Sequence, residues 1–123
     1  MMSNELTIEA VRLALSLQEL KARVASANVA NAGMPGASAM RTDFSGVYNA
    51  LAAAARSNGP EAAAQLRHAE AQARSAHPIS TGESIRMDEQ IGDMSTAALK
   101  YQALSDALSR HFGLMRLAIT GRS

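Results

Sequence analysis

The sequence predicts an all-α protein: long N- and C-terminal helices pair as an antiparallel, coiled-coil-like axial domain, with short Ala-rich helices and loops between them. Three observations predict it. Alternating steps of four and three from residue 87 meet Met87, Ile91, Met94, Ala98, Tyr101, Ser105, Leu108, Phe112, Met115 and Ile119, with only Ser105 polar and no Pro in the interval. The same step near the N-terminus meets Leu6, Ala10, Leu13, Leu17, Leu20, Val24, Ala27 and Asn31. A repeat of 3.5 residues gives a helix one narrow apolar seam suited to a second helix. Composition is the third: 47% apolar but 3% aromatic, without Trp, which favours thin helix-on-helix packing over a thick core.

The first helix is expected from Thr7 to Ala30, capped by Asn4 or Thr7, with Glu9, Arg12, Glu19 and Arg23 on its solvent face. It ends in NVANAGMPGA, where Asn31 and Gly33 suit a left-handed helix stop. Pro35 and Gly36 suit the centre of a type II turn. Two asparagines three apart, Asn28 and Asn31, fit either local capping or exposure for contacts between subunits. Ser38 to Asp43 is polar and extended. Phe44, Val47, Tyr48 and Leu51 then open an Ala-rich helix to Arg56, capped by Asp43 or Ser45. Ser57-Asn58-Gly59-Pro60 is a turn, with Pro60 suited to the first position of the next helix. That helix, Glu61 to Ala76, has Leu66 as its only large apolar residue and is expected to pack lightly or to move. Pro78 to Ser84 reads as a linker. The last helix, a rod of roughly 50 Å, places Asp88 and Glu89 at its start and Arg110, Arg116 and Arg122 toward its end, as the helix dipole favours. Residues 1–37 and 84–123 therefore make the axial domain, and 38–83 a variable middle segment.

Several function classes fall away. Twelve basic and 11 acidic residues are spread along the chain for a net charge of +1, so no concentrated basic field exists for nucleic acid. Without cysteine there is no disulfide, thiolate metal site or cysteine nucleophile. No apolar run has the length of a membrane span, and Met1-Met2-Ser3-Asn4-Glu5 lacks the basic-then-apolar start of a cleaved signal. His68-Ala69-Glu70 resembles a fragment of a zinc-deaminase signature, but the cysteines that signature requires are missing. His68, His77 and His111 are far apart and read as solvated or helix-edge residues. Glu89 and Asp93 share a helix face without a pocket-forming sequence around them. No phosphate-binding glycine loop and no nucleophile elbow occurs. Of the seven methionines, Met87, Met94 and Met115 occupy seam positions and read as core. The residues point to no enzyme, no cofactor, no metal and no small-molecule substrate, and to a helical assembly or adaptor module.

Two stretches go further. Asn28-Val29-Ala30-Asn31-Ala32 with Pro35-Gly36, followed by Arg41, Asp43 and Phe44, resembles the bacterial flagellar basal-body rod proteins, whose N-terminal helix ends in a motif of the form N-I-A-N-A-x-T-P-G-Y. Lys100-Tyr101-Gln102-Ala103-Leu104, then Phe112 and the apolar end from Leu114 to Ile119, is similar to the C-terminus of the FlgB family of proximal-rod proteins. The resemblance covers both ends and leaves Ala50 to Gly82 unassigned. Met34 stands where the family has Thr, and Ala37 where it has Tyr, which removes an aromatic from one lateral contact.

The resemblance implies a structural subunit that stacks helically into the rod transmitting motor torque. It implies export through the flagellar type III apparatus without a cleaved signal, a place in the periplasm-spanning basal body, and self-association. Its partners would be other rod proteins, the inner-membrane ring and its adaptor. Leu13, Leu17, Leu20, Val24, Met87, Ile91, Met94, Tyr101, Leu108, Phe112, Met115 and Ile119 would form subunit contacts; Asn28, Asn31, Pro35 and Gly36 would set the chain path between subunits. Both seams are expected to order on assembly. The alternatives are a cytoplasmic helical chaperone or adaptor, and a rod-like subunit of a virulence-type secretion system.

Overall fold

The computed structural model describes residues 2–120 of the chain. Arg122 and the side chain of Ile119, both singled out above, lie outside the described residues. In order, the elements are helix α1 (Asn4–Asn31), strand β1 (Ser38–Arg41), helices α2 (Ser45–Ala55) and α3 (Gly59–Ser75), strand β2 (Ile79–Ser84) and helix α4 (Met87–Thr120). The protein is mostly helical and its two long helices pack together, but it is not purely all-α.

Helix α1 starts earlier than expected because Ser3, not Asn4 or Thr7, is its cap: Ser3 Oγ accepts from the Leu6 N–H at 3.2 Å. Its end also differs. Ala32 stays in the right-handed region, and among the described residues only Gly36, Gly59 and Gly82 have positive φ, so neither Asn31 nor Gly33 makes a left-handed stop. The helix runs instead into the turn around Pro35. There the Ala37 N–H donates to the Met34 carbonyl at 3.2 Å and Gly36 has φ +75°, as a type II turn requires.

The stretch expected to be extended and the one expected to be a linker pair with each other. Strands β1 and β2 run antiparallel, with Met40 opposite Ser80, Arg41 opposite Ile79, and Ser38 opposite Ser84. The register shifts between Ser38 and Met40, and β2 takes up the extra length around Gly82 at φ +75°. Side chains reinforce the ladder: Thr81 Oγ1 donates to the Ala39 carbonyl at 2.9 Å, and the Ser38 and Ser80 hydroxyls bond to each other.

Helices α2 and α3 form a hairpin on the side of α1. Leu17 is completely buried among Phe44, Val47, Ala50 and Ala69, with Leu13, Leu20 and Leu51 packed around them. Helix α3 is closely rather than lightly packed. Its Ala62, Leu66 and Ala69 are at most 1% exposed, because alanines let two helices approach closely without large side chains.

The apolar seam of α1 is therefore used differently from the expectation. Leu13, Leu17 and Leu20 pack against α2 and α3 within one chain, so these residues do not wait for a second subunit. The side of α1 turned to α4 is smaller and more polar, with Gln18, Ala25 and Asn28 buried. The end of α1 meets the start of α4 through Asn28 and Gln90, and Ala14 and Leu104 line one shared groove further along, so the pair is antiparallel.

Helix α4 is rotated relative to its expected seam. The positions turned to α1 are Gln90 and Ala97, 6% and 3% exposed, and the half-buried Leu104 and His111. Met94, Leu108 and Met115 are half-buried as seam members should be, whereas Met87, Ile91, Ala98, Tyr101 and Phe112 are exposed. In this rotation the buried Gln90 Oε1 accepts from Asn28 Nδ2 of α1 at 2.9 Å.

Candidate interaction surface

The junction of α1, β1 and α4 is built on one side chain. Asn28, 2% exposed, accepts from the Met40 N–H at 2.9 Å through Oδ1. Its Nδ2 donates to the Met40 carbonyl at 3.0 Å and to Gln90 Oε1 at 2.9 Å. The amide thus pairs with the backbone of a strand and ties it to the last helix. In an enclosed site an amide left without partners costs about 1–3 kcal/mol, so the arrangement fixes geometry strongly. Asn31 has no such role; it is exposed and its side chain makes no hydrogen bond.

Beside this junction a groove of about 370 Å³ runs between α1, the strands and the first third of α4, with Gln18, Ala25, Gln90 and Ala97 at its base. Its rim carries both charge signs: Lys21, Arg41 and Lys100 against Glu83, Glu89 and Asp93. Arg41 and Glu89 meet at 3.6 Å, but both are exposed, so the pair adds little. Lys21 lies 4.8 Å from the centre of the Tyr48 ring, whose hydroxyl accepts from Gln18 Nε2 at 3.4 Å. At the entry to α2, the Ser45 N–H donates to Asp43 Oδ1 at 2.9 Å, and this bond, with a smaller contribution from the Ser45 hydroxyl, holds the Asp43 carboxyl below its usual range.

The other surface feature lies along the outside of α4. Met87, Ile91 and Phe112 are 43%, 53% and 37% exposed, and Leu99, Leu114 and Leu117 are each about two-thirds exposed. At 3.6 residues per turn Met87, Ile91 and Phe112 share one face of the helix and Leu99, Leu114 and Leu117 another, and apolar groups aligned on an exposed face are a feature of interaction sites.

The residues expected to form subunit contacts thus divide. Leu13, Leu17 and Leu20 lie in the core; Val24 lines the groove; Asn28 locks the junction; Pro35 and Gly36 shape an exposed turn. Met94, Leu108 and Met115 flank α1, Tyr101 and Phe112, each 37% exposed, lie at the margin, and Met87 and Ile91 face outward. Sequence reasoning missed Gln18 and Gln90 because polar residues do not register in an apolar periodicity. His111, read as solvated or at a helix edge, is half-buried with its Nε2 enclosed.

Among the described residues no group of three or more His, Cys, Asp or Glu is placed to hold a metal, and no helix is long and apolar enough to cross a membrane. No protein-family model matches the chain, and no curated protein matches it.

Proposed function

We propose that the chain is a structural subunit of the bacterial flagellar basal-body rod, of the proximal, FlgB-like type, which assembles helically to transmit torque. The supporting observation is the outward stripe of α4. A helix already paired with α1 on one side keeps Met87, Ile91 and Phe112 on another, where only a second molecule supplies partners. The motif residues fit the same reading. The turn at Pro35 and Gly36 is exposed beside a junction that Asn28 fixes, and Lys100 to Leu104 lies on the α1/α4 pair.

In this reading α1 and α4 form the axial coiled-coil-like unit, and ordering on assembly is confined to the outward side of α4. Neighbouring rod proteins and further copies cover that stripe. The inner-membrane ring with its adaptor lies at one end, and the flagellar export apparatus delivers the chain without a cleaved signal.

The test is compositional. Basal bodies purified from the source bacterium after detergent extraction, analysed by mass spectrometry, should contain the chain in the rod fraction, and deleting its gene should abolish swimming. A chain confined to the cytoplasm, with swimming intact after deletion, contradicts the reading and favours a cytoplasmic adaptor.

A further inference from the structure

Helix α4 carries two overlapping seams that share Met94, Tyr101, Leu108 and Met115. Adding Gln90, Ala97, Leu104 and His111 gives the one turned to α1. Adding Ile91, Ala98, Ser105 and Phe112 gives the other, which differs by a rotation of about 50°, half the spacing between successive residues on a helix. Hydrophobic burial alone does not choose the observed seam. It leaves Ile91 53% and Phe112 37% exposed while burying the Gln90 amide and half-burying His111, and Leu104 and Ser105 are both half-buried.

The feature that sets the observed seam apart is its amide pair. Asn28 is held from the strand side by both backbone groups of Met40, and its remaining donor proton meets Gln90 Oε1 in a buried bond. A single buried polar residue in a helix pair is known to fix register at the expense of apolar burial. We propose that the Asn28–Gln90 bond is a rotation lock: it holds α4 with Ile91, Ala98 and Phe112 outward, against a second rotation in which those residues turn to α1 and Gln90 and Ala97 turn to solvent. The lock thereby sets whether the apolar stripe is presented to a partner or folded away. This inference does not depend on the rod reading, because it concerns the rotation of one helix within one chain.

The chain has no cysteine, so single thiols report the rotation directly. Ala97→Cys and Ala98→Cys are made separately, in the natural chain and in Gln90→Ala, which removes the lock and leaves both Met40 bonds to Asn28 in place. Labelling with a maleimide is followed at low reagent. In the natural chain the thiol at position 98 reacts faster than the one at 97. In Gln90→Ala the thiol at 97 accelerates and the one at 98 slows, so that their ratio falls by at least about tenfold, the effect of one buried hydrogen bond. Acceleration at 97 with 98 unchanged is ordinary loosening and overturns the proposal. Unchanged rates, or both positions reacting at the rate seen in denaturant, overturn it too, since the second rotation must itself hold the pair together.

Discussion

Asn28 Nδ2 lies 2.9 Å from Gln90 Oε1, joining two buried amides 62 residues apart in sequence. Around that bond the first helix, the small sheet and the last helix take fixed positions, and the outward stripe of α4 follows from it.

Asn28→Ala should therefore be costly and Asn31→Ala should not. The first removes bonds to Met40 and Gln90 and leaves the buried Gln90 Oε1 without its donor, a loss of about 2–4 kcal/mol. The second changes an exposed side chain without a hydrogen bond and should stay within about 0.5 kcal/mol. Urea unfolding followed by circular dichroism separates them; equal midpoints for the two variants would contradict the junction's role.

Leu17→Ala should destabilise the monomer by about 2–5 kcal/mol, because its side chain is fully enclosed by α2 and α3 residues. Its stability should be lost in dilute protein as well as concentrated protein, since the partners belong to the same chain. A loss seen only at high concentration would place Leu17 between subunits instead.

Gly36→Ala should cost about 1–2 kcal/mol through the left-handed backbone alone, since nothing lies within 4 Å of the added methyl. Gly33→Ala, with φ outside that region and equally open surroundings, should be neutral or slightly stabilising. Thermal midpoints of the two variants moving together would exclude the type II turn.

Asp43 supplies the expected acid dependence. Its folded-state acidity is raised by the Ser45 N–H, so its carboxyl titrates below the ordinary value of 3.8. The contribution is complete above that value and is lost as pH falls through the lower, folded-state midpoint. Side-chain NMR titration should show this lowered midpoint, and Ser45→Ala should keep most of the lowering, because the backbone bond is the larger cause. A midpoint at or above 3.8 in the folded protein would remove the bond from the account.

The helices were legible in the sequence to within a few residues, since the 3.5-residue period, Pro60 and the Pro35–Gly36 turn each reflect local chemistry. The sheet was not. Ser38–Arg41 and Ile79–Ser84 are short, polar and separated by two helices, so neither shows the alternation that marks a half-buried strand. The phase of the seams was missed for a related reason. Apolar periodicity finds Leu13, Leu17 and Leu20 but is silent on which neighbour they meet, and it ranks Ile91 above Gln90. The decision rests on a tertiary hydrogen bond. Asn28 was visible as a motif residue, yet its partners, Met40 and Gln90, became identifiable only once the chain was folded.

The outward stripe is tested most directly by replacing Ile91 and Phe112 together with Asp and measuring incorporation. Ile91 is 53% and Phe112 37% exposed in the single chain, so the double variant should stay helical and keep most of its stability. A charge enclosed without a partner at a subunit contact costs several kcal/mol, so the variant should be missing from purified basal bodies and the cells should not swim. A folded variant found in basal bodies at the natural level, with normal swimming, would contradict the assignment of this face of α4 as the assembly surface.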